Sequence, residues 1–424
     1  LYNNIFGTDI SFFRMINTQG AVVLGMVYNY LPFMILPIYS VIVKLDHSLI
    51  EAARDLGANS VQVFRRVILP LSLPGVLSGI TMVFVPSVST FAISKMLGGG
   101  TEMLLGDLIE QQYMGGAYNP YLGAAISLVM MVIVVICMVV MNRFGEGEGG
   151  DDVKKNNSFL DRLFMALVFV FLYAPIVLLI VFSFNSGNSN MVWKGFSLHW
   201  YTKLFRNRII MQSVYTTLMV SLLATIIATV AGTFAAIGFY AMRRRVRNPL
   251  MTVNNIPMMN ADIVTGVSMC LLFVAFFSGW GSFASWFNTL GLFRLPTHLT
   301  MGFGTLLIAH ITFNIPYVIL SVGPKLRQMD RNLVDAAMDL GCTWMQAFWK
   351  VIIPEIKPGI VSGALTAFTM SIDDFVISYF TAGSSSSTLA MTIYGMTKKK
   401  VTPEINAIST LLFVTVLVLL AVIN

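Results

Sequence analysis

One segment of this chain occurs twice. Ser48 to Gly75 reads S-L-I-E-A-A-R-D-L-G-A-N-S-V-Q-V-F-R-R-V-I-L-P-L-S-L-P-G, and Asn332 to Gly359 reads N-L-V-D-A-A-M-D-L-G-C-T-W-M-Q-A-F-W-K-V-I-I-P-E-I-K-P-G. Glu51 and Asp335, Gly57 and Gly341, Pro70 and Pro354, and Pro74 and Pro358 are each 284 positions apart. A repeat held at one offset means two copies of one structural unit, and any fold for the chain has to use both.

Local chemistry predicts the form of each copy. Ser48 with Glu51, and Asn332 with Asp335, read as capping boxes that start a helix. Ala52, Ala53 and Leu56 give that helix a small, smooth face. Gly57 and Gly341 fall where a left-handed residue would stop it. Asn59 and Thr343 can cap a second short helix, which Pro70 and Pro354 should end. Pro74-Gly75 and Pro358-Gly359 then open long apolar runs. The expected element is a polar helix-turn-helix between two membrane spans.

The apolar runs set the class. The chain is 56% hydrophobic and 11% charged, with a mean hydropathy of +0.76, so it reads as an all-α polytopic membrane protein. Spans are expected near 21–43, 71–94 and 121–141, then near 163–184, 212–241, 249–277, 301–323, 357–381 and 405–423. Between the two sets, 144–160 has the composition of a flexible linker. The expected domains are 1–143, with three spans and the loop 44–70, and 161–424, with six spans and the loop 324–357. Pro32 matches Pro316, Phe91 matches Phe375, and Ala125-Ile126-Ser127 matches Ala407-Ile408-Ser409. The first unit therefore aligns with the C-terminal half of the second, and three further spans are expected upstream of Leu1.

Lysine and arginine orient the chain. With both repeated loops inside, the inner segments carry 17 Lys/Arg in 89 residues and the outer segments 10 in 119. Lys398-Lys399-Lys400 is an outer exception. The net charge of +7 is explained by this distribution and needs no nucleic acid. Arg243-Arg244-Arg245 reads as an inside anchor. The three cysteines and four histidines show no metal spacing. There is no G-x-x-x-x-G-K-[ST] phosphate loop, and no catalytic constellation suggests an enzyme.

Ser371-Ile372-Asp373-Asp374-Phe375 lies inside the apolar run 357–381. Carboxylates at such depth mark pathways. At ~1.5 Å per residue, Asp373 lies roughly 22 Å along the helix from Pro358. The matched positions, Ser89 and Thr90, are neutral. A small cationic substrate would explain a one-sided acidic pair; a salt bridge or a solvated span end is the alternative. Asp262 follows a proline break and fits either a substrate role or a helix cap. Phe375 and Tyr379 could contact methylenes and add cation–π attraction.

The repeated segment resembles the E-A-A-x3-G-x9-I-x-L-P loop of ABC importer permeases. Val67 and Val351 for Ile, Asp335 for Glu, and Ile353 for Leu are the departures. L-P-F-M-I-L-P-I-Y-S-V-I-V-K-L-D resembles the first permease subunit of spermidine/putrescine importers, and M-S-I-D-D-F-V-I-S-Y-F-T-A-G with T-P-E-I-N-A-I-S-T resembles the second. The resemblance implies the type I importer fold, in two permease units of the same orientation, fused in one chain. It implies that Glu51, Ala52, Ala53, Gly57, Asp335, Ala336, Ala337 and Gly341 couple to a cytoplasmic ATPase dimer, which carries ATP and Mg; this chain itself has no cofactor. It further implies a binding protein or fused binding domain outside and a bacterial plasma membrane location. Polyamine uptake by alternating access is the function implied. Related permeases carry iron or phosphonate, and an ion-gradient-driven transporter is the reading from another class.

Overall fold

The computed structural model describes residues 15–100, 103–114, 118–145, 159–187, 192–259, 262–289, 296–330, 332–399 and 403–423. Most of the segment 144–160, Lys400, and most of 1–20 fall outside the described residues. The described residues are helical throughout, with no strand among them and one isolated bridge, Asn185 to Phe196. The chain divides into two compact units, 1–172 and 173–424.

The first unit begins with α1 (Gln19–Val43), capped by Thr18, and the short helices α2 (His47–Asp55) and α3 (Ser60–Val63). A π-helical turn over Phe64–Ile68 leads into α4 (Leu69–Ser89). Then follow α5 (Ala92–Gly98), α6 (Leu105–Met114) and α7 (Pro120–Gly145). The hydroxyl of Tyr30 on α1 donates to the Pro86 carbonyl on α4 at 3.0 Å. Pro86 lies in the last turn of α4, whose carbonyls have no intrahelical amide donor, so this bond satisfies one of them and holds α1 against α4.

The helix α8 (Phe159–Ser183) runs across the boundary between the units. The second unit continues with α9 (His199–Arg206), α10 (Arg208–Ala241), α11 (Arg244–Met259), α12 (Asp262–Thr289) and α13 (Phe303–Gln328). After α14 (Asn332–Asp339) and α15 (Trp344–Ala347), a second π-helical turn, Phe348–Ile352, enters α16 (Ile353–Asp373). The last helices are α17 (Val376–Thr381), α18 (Leu389–Lys399) and α19 (Pro403–Ile423). Among the described residues, seven helical stretches are long and apolar enough to cross a membrane, and Pro120–Ile136 and Pro403–Val418 are shorter apolar helices. The protein is a multi-pass membrane protein.

Three local expectations need correction. Asp46, not Ser48, caps α2, accepting from the Ser48 amide at 2.9 Å. Asp330 accepts from the Asn332 amide at 3.0 Å in the second copy, again 284 positions on. An aspartate one or two places upstream can reach the free amides and leaves the Glu51 and Asp335 side chains exposed. Pro70 and Pro354 do not end a helix. The preceding π turn widens the backbone where a proline ring would otherwise strike a carbonyl, so the helix passes straight through. Finally, three expected spans are each two elements: 249–277 is the amphipathic α11 and α12 beginning at Asp262, 71–94 stops at Ser89 before α5, and 357–381 stops at Asp373 before α17, because the backbone turns extended at Thr90 and Asp374.

In the second unit, α10, α13 and α16 enclose a core of Ala236, Val318, Ile319, Val322, Leu326, Phe348, Ile352 and Ile356. Phe348 belongs to the π turn, so the repeated loop is packed into the span core. Its ring stacks on Phe234 at 6.1 Å and on Trp344 at 5.6 Å. A second core of Phe273, Ala309, Phe313 and Ile377 joins α12, α13 and α17. The helix α13 thus links both ends: its C-terminal half packs on the loop, and its N-terminal half packs beside the acidic break after α16.

Candidate functional site

In the second unit, two sets of predicted residues lie toward opposite ends of α13, and the first unit repeats the loop set. In the loops, Gly57 and Gly341 have φ of +81° and +85°. A Cβ at either would meet nothing within 4 Å, so backbone conformation alone requires glycine there. Asn59 and Thr343 form full capping boxes with Gln62 and Gln346. Glu51, Ala52, Gly57, Asp335, Ala336 and Gly341 are exposed, Ala53 is half-buried, and Ala337 is buried. Beside each glycine an apolar tip stands in the open: Leu56 is 88% exposed and Leu340 is 87% exposed. Leu333, Met338, Trp344 and Met345 extend that exposed apolar surface in the second copy. Such a surface on a polar loop is open to a partner.

At the other end, α16 stops at Asp373 and the chain bends through Asp374 and Phe375 before α17. Asp374 is committed to this bend. Its Oδ2 accepts from the Ser378 amide at 2.7 Å and from the Ser378 hydroxyl at 2.8 Å, and its Oδ1 accepts from the Ile377 amide at 3.3 Å. His310, only 2% exposed, reaches across from α13. Its Nε2 lies 3.0 Å from Ser378 Oγ and 3.5 Å from Asp374 Oδ2, and its Nδ1 lies 2.6 Å from Ser371 Oγ. Ser378 spends its proton on Asp374, which leaves its oxygen to accept from Nε2, while Nδ1 meets the Ser371 hydroxyl. The imidazole therefore bridges the two helices on either side of the break.

Asp373 and Asp262 are different. Both are exposed, and neither has a hydrogen bond or ion pair with any described residue. Each interacts electrostatically with Asp374, as does Tyr317 on α13. Aromatic rings adjoin the break. Phe375 lies 4.6 Å from Tyr394 and 5.4 Å from Tyr379, and Tyr379 lies 6.1 Å from Tyr394, between centroids. Two exposed carboxylates near Asp374, in a break whose next residue is Phe375, suit alkylammonium groups: charge can meet carboxylate, and methylenes can meet rings.

The first unit breaks its helix at the same place, after Ser89, but furnishes it differently. Thr90 stands at the Asp374 position, Lys95 at Tyr379 and Glu110 at Tyr394, each 284 positions earlier. Lys95 and Glu110 form an ion pair in which Glu110 is buried. Ser94 donates to Asp107 at 2.8 Å. Burial pushes the Asp107 carboxyl up, against the lowering effect of its bonds from the Leu104 amide and Ser94 and of Lys95 nearby. The first unit thus closes an ion pair where the second presents rings.

Sequence inspection did not single out His310, Ser378, Tyr317 or Tyr394. The histidine was one of four scattered ones, and Tyr394 lies outside any span. Extending the repeat to Glu110 would have drawn attention to position 394.

Residues 10–146 and 228–424 match the family described as binding-protein-dependent transport system inner membrane component. The chain belongs to that family. Two stretches match one family, so this permease chain carries the domain twice and has the type I importer fold. Among similar proteins is the spermidine/putrescine transport system permease protein PotC of Haemophilus influenzae, 35% identical over 256 residues, 60% of this chain and 91% of the relative. The putrescine transport system permease protein PotI of Escherichia coli K12 is 36% identical over 249 residues, 58% of this chain and 83% of the relative. The spermidine/putrescine permease protein PotB of Haemophilus influenzae is 45% identical over 130 residues, 31% of this chain and 45% of the relative. This pattern is consistent with a fusion of two permease units.

Proposed function

We propose that this chain is the membrane permease of an ATP-driven polyamine importer of the bacterial plasma membrane. Spermidine or putrescine is the solute, delivered outside by a binding protein or fused binding domain. The repeated loops face the cytoplasm and dock a separate ATPase dimer, which carries ATP and Mg; the permease holds no cofactor and hydrolyses nothing. Glu51, Ala52, Ala53 and Gly57, with Asp335, Ala336, Ala337 and Gly341, form the docking faces. The segment 144–160 is a tether between domains 1–143 and 161–424.

The observation that carries the substrate reading is the pair of exposed carboxylates, Asp373 and Asp262, both in electrostatic reach of Asp374, with Phe375 next in the chain and packed on Tyr379 and Tyr394. A polyamine carries ammoniums separated by methylenes, and this arrangement offers a partner to each. ATPase closure moves the loops, and Phe348 passes that motion into α13. The far half of α13 holds His310 against the break, so closure and the carboxylate geometry change together.

The test is uptake of labelled putrescine and spermidine into proteoliposomes holding the whole complex with internal ATP. Uptake that needs ATP and is blocked by excess polyamine supports the reading. Uptake driven by an ion gradient without ATP, or uptake of iron or phosphonate in place of polyamine, contradicts it.

A further inference from the structure

A cavity of about 360 Å³ opens where α10, α11 and α13 meet, at the loop end of α13. Two guanidinium groups line it, Arg247 on α11 and Arg327 on α13. Neither has a hydrogen bond or carboxylate partner among the described residues, and no acidic side chain lines the cavity. Asn248, Thr252 and Asn255 add neutral polar groups. Asn255 accepts from Asn254 through Oδ1 at 3.2 Å, which leaves its amide hydrogens for another acceptor.

We propose that this cavity binds the phosphate of an anionic lipid headgroup, held between Arg247 and Arg327. The chemistry selects the ligand. A guanidinium fork matches two phosphate oxygens, and two forks on separate helices enclose one phosphate. Cations and neutral solutes gain nothing from such a wall. The rest of the lining, Met251 and Ile319 among it, is apolar and suits the glycerol and upper acyl chains. The cavity also lies where the spans α10 and α13 end beside the basic run Arg243-Arg244-Arg245. Basic pockets between spans at that level take anionic headgroups. Arg327 stands five residues before Asn332, the first residue of α14, so a bound headgroup braces the stem of the second repeated loop. None of this depends on which solute the permease carries.

The test uses the full chain, purified in detergent with its co-purifying subunits, and dioctanoyl phosphatidylglycerol as the probe. Phosphatidylglycerol should raise the thermal midpoint saturably, and dioctanoyl phosphatidylcholine should not. Arg247→Gln and Arg327→Gln should each weaken the apparent affinity about tenfold, the loss of one charge-assisted contact, and the double variant should abolish the shift. Arg247→Lys with Arg327→Lys, which keeps charge and fold but loses the forks, should fall between. Arg243→Gln with Arg244→Gln removes the same charge outside the cavity and should respond like wild type. Equal loss in that control, or a double glutamine variant that responds like wild type, overturns the proposal. Inorganic phosphate matching the lipid at equal concentration overturns the lipid as the source.

Discussion

The Ser378 amide donates to Oδ2 of Asp374 at 2.7 Å, so one of three neighbouring carboxylates holds a helix and is not free for a solute. Asp373, its neighbour, makes no such bond. Adjacent aspartates thus have separate tasks, and substitutions should separate them.

Asp374→Ala should reduce assembly. It removes the cap of α17 and leaves Ser378 and His310 without their shared acceptor, a loss of about 1–3 kcal/mol. Asp374→Asn keeps an acceptor oxygen and should assemble better than the alanine. Monodisperse yield and thermal midpoint of the complex measure both. Equal yields of the alanine variant and wild type would contradict the capping role.

The rings should act on affinity. Tyr394→Ala and Phe375→Ala should each raise the KM for polyamine severalfold, as a cation–π contact of roughly 0.5–2 kcal/mol requires. Tyr394→Phe keeps the π face and should stay near wild type. Initial uptake rates across substrate concentration decide this, and an unchanged KM in Tyr394→Ala would remove the ring from the site.

In the loops, Gly57→Val and Gly341→Val should uncouple transport. A β-branched residue is strained at positive φ although the space around each glycine is open. Asparagine tolerates the left-handed region and should retain most activity. Phe348→Ala, which empties a position in the core of α10, α13 and α16, should cost about 3–5 kcal/mol. Co-purification of the ATPase with uptake measures the glycine variants, and thermal midpoint measures the last. Wild-type association and uptake in both valine variants would contradict the loop assignment.

The first unit makes a contrasting prediction. Removing Lys95 alone takes the salt-bridge lysine from the buried Glu110 and should lower the thermal midpoint. Lys95→Met with Glu110→Gln removes both charges and should restore much of the lost stability. Thermal midpoints of the single and double variants form the cycle; additive losses would mean that the pair is not coupled.

The repeat made much of this architecture legible. Two copies at one offset give the loops, the left-handed glycines and the second caps, because each depends on a few residues close in sequence. The first cap was misassigned by two positions, since Asp46 and Ser48 can both reach free amides and only backbone direction chooses between them. Pro70 misled because a π turn absorbs a proline that ordinarily stops a helix. The acidic pair was visible at Asp373-Asp374, but neither the helix break there nor the division of labour was. It depends on His310, 64 positions upstream of Asp374, and on Ser378, neither of which carries a local signal. Tyr394 reaches Phe375 only through tertiary packing.

The account rests most directly on Asp373. Asp373→Asn nearly preserves volume and breaks no hydrogen bond with a described residue, so assembly should match wild type. The measurement is polyamine-stimulated ATPase activity of the reconstituted complex, normalised to assembled permease. The account predicts normal assembly with stimulation reduced about tenfold or more, the loss of one charge-assisted contact to an ammonium. A variant that assembles and is stimulated like wild type would contradict it.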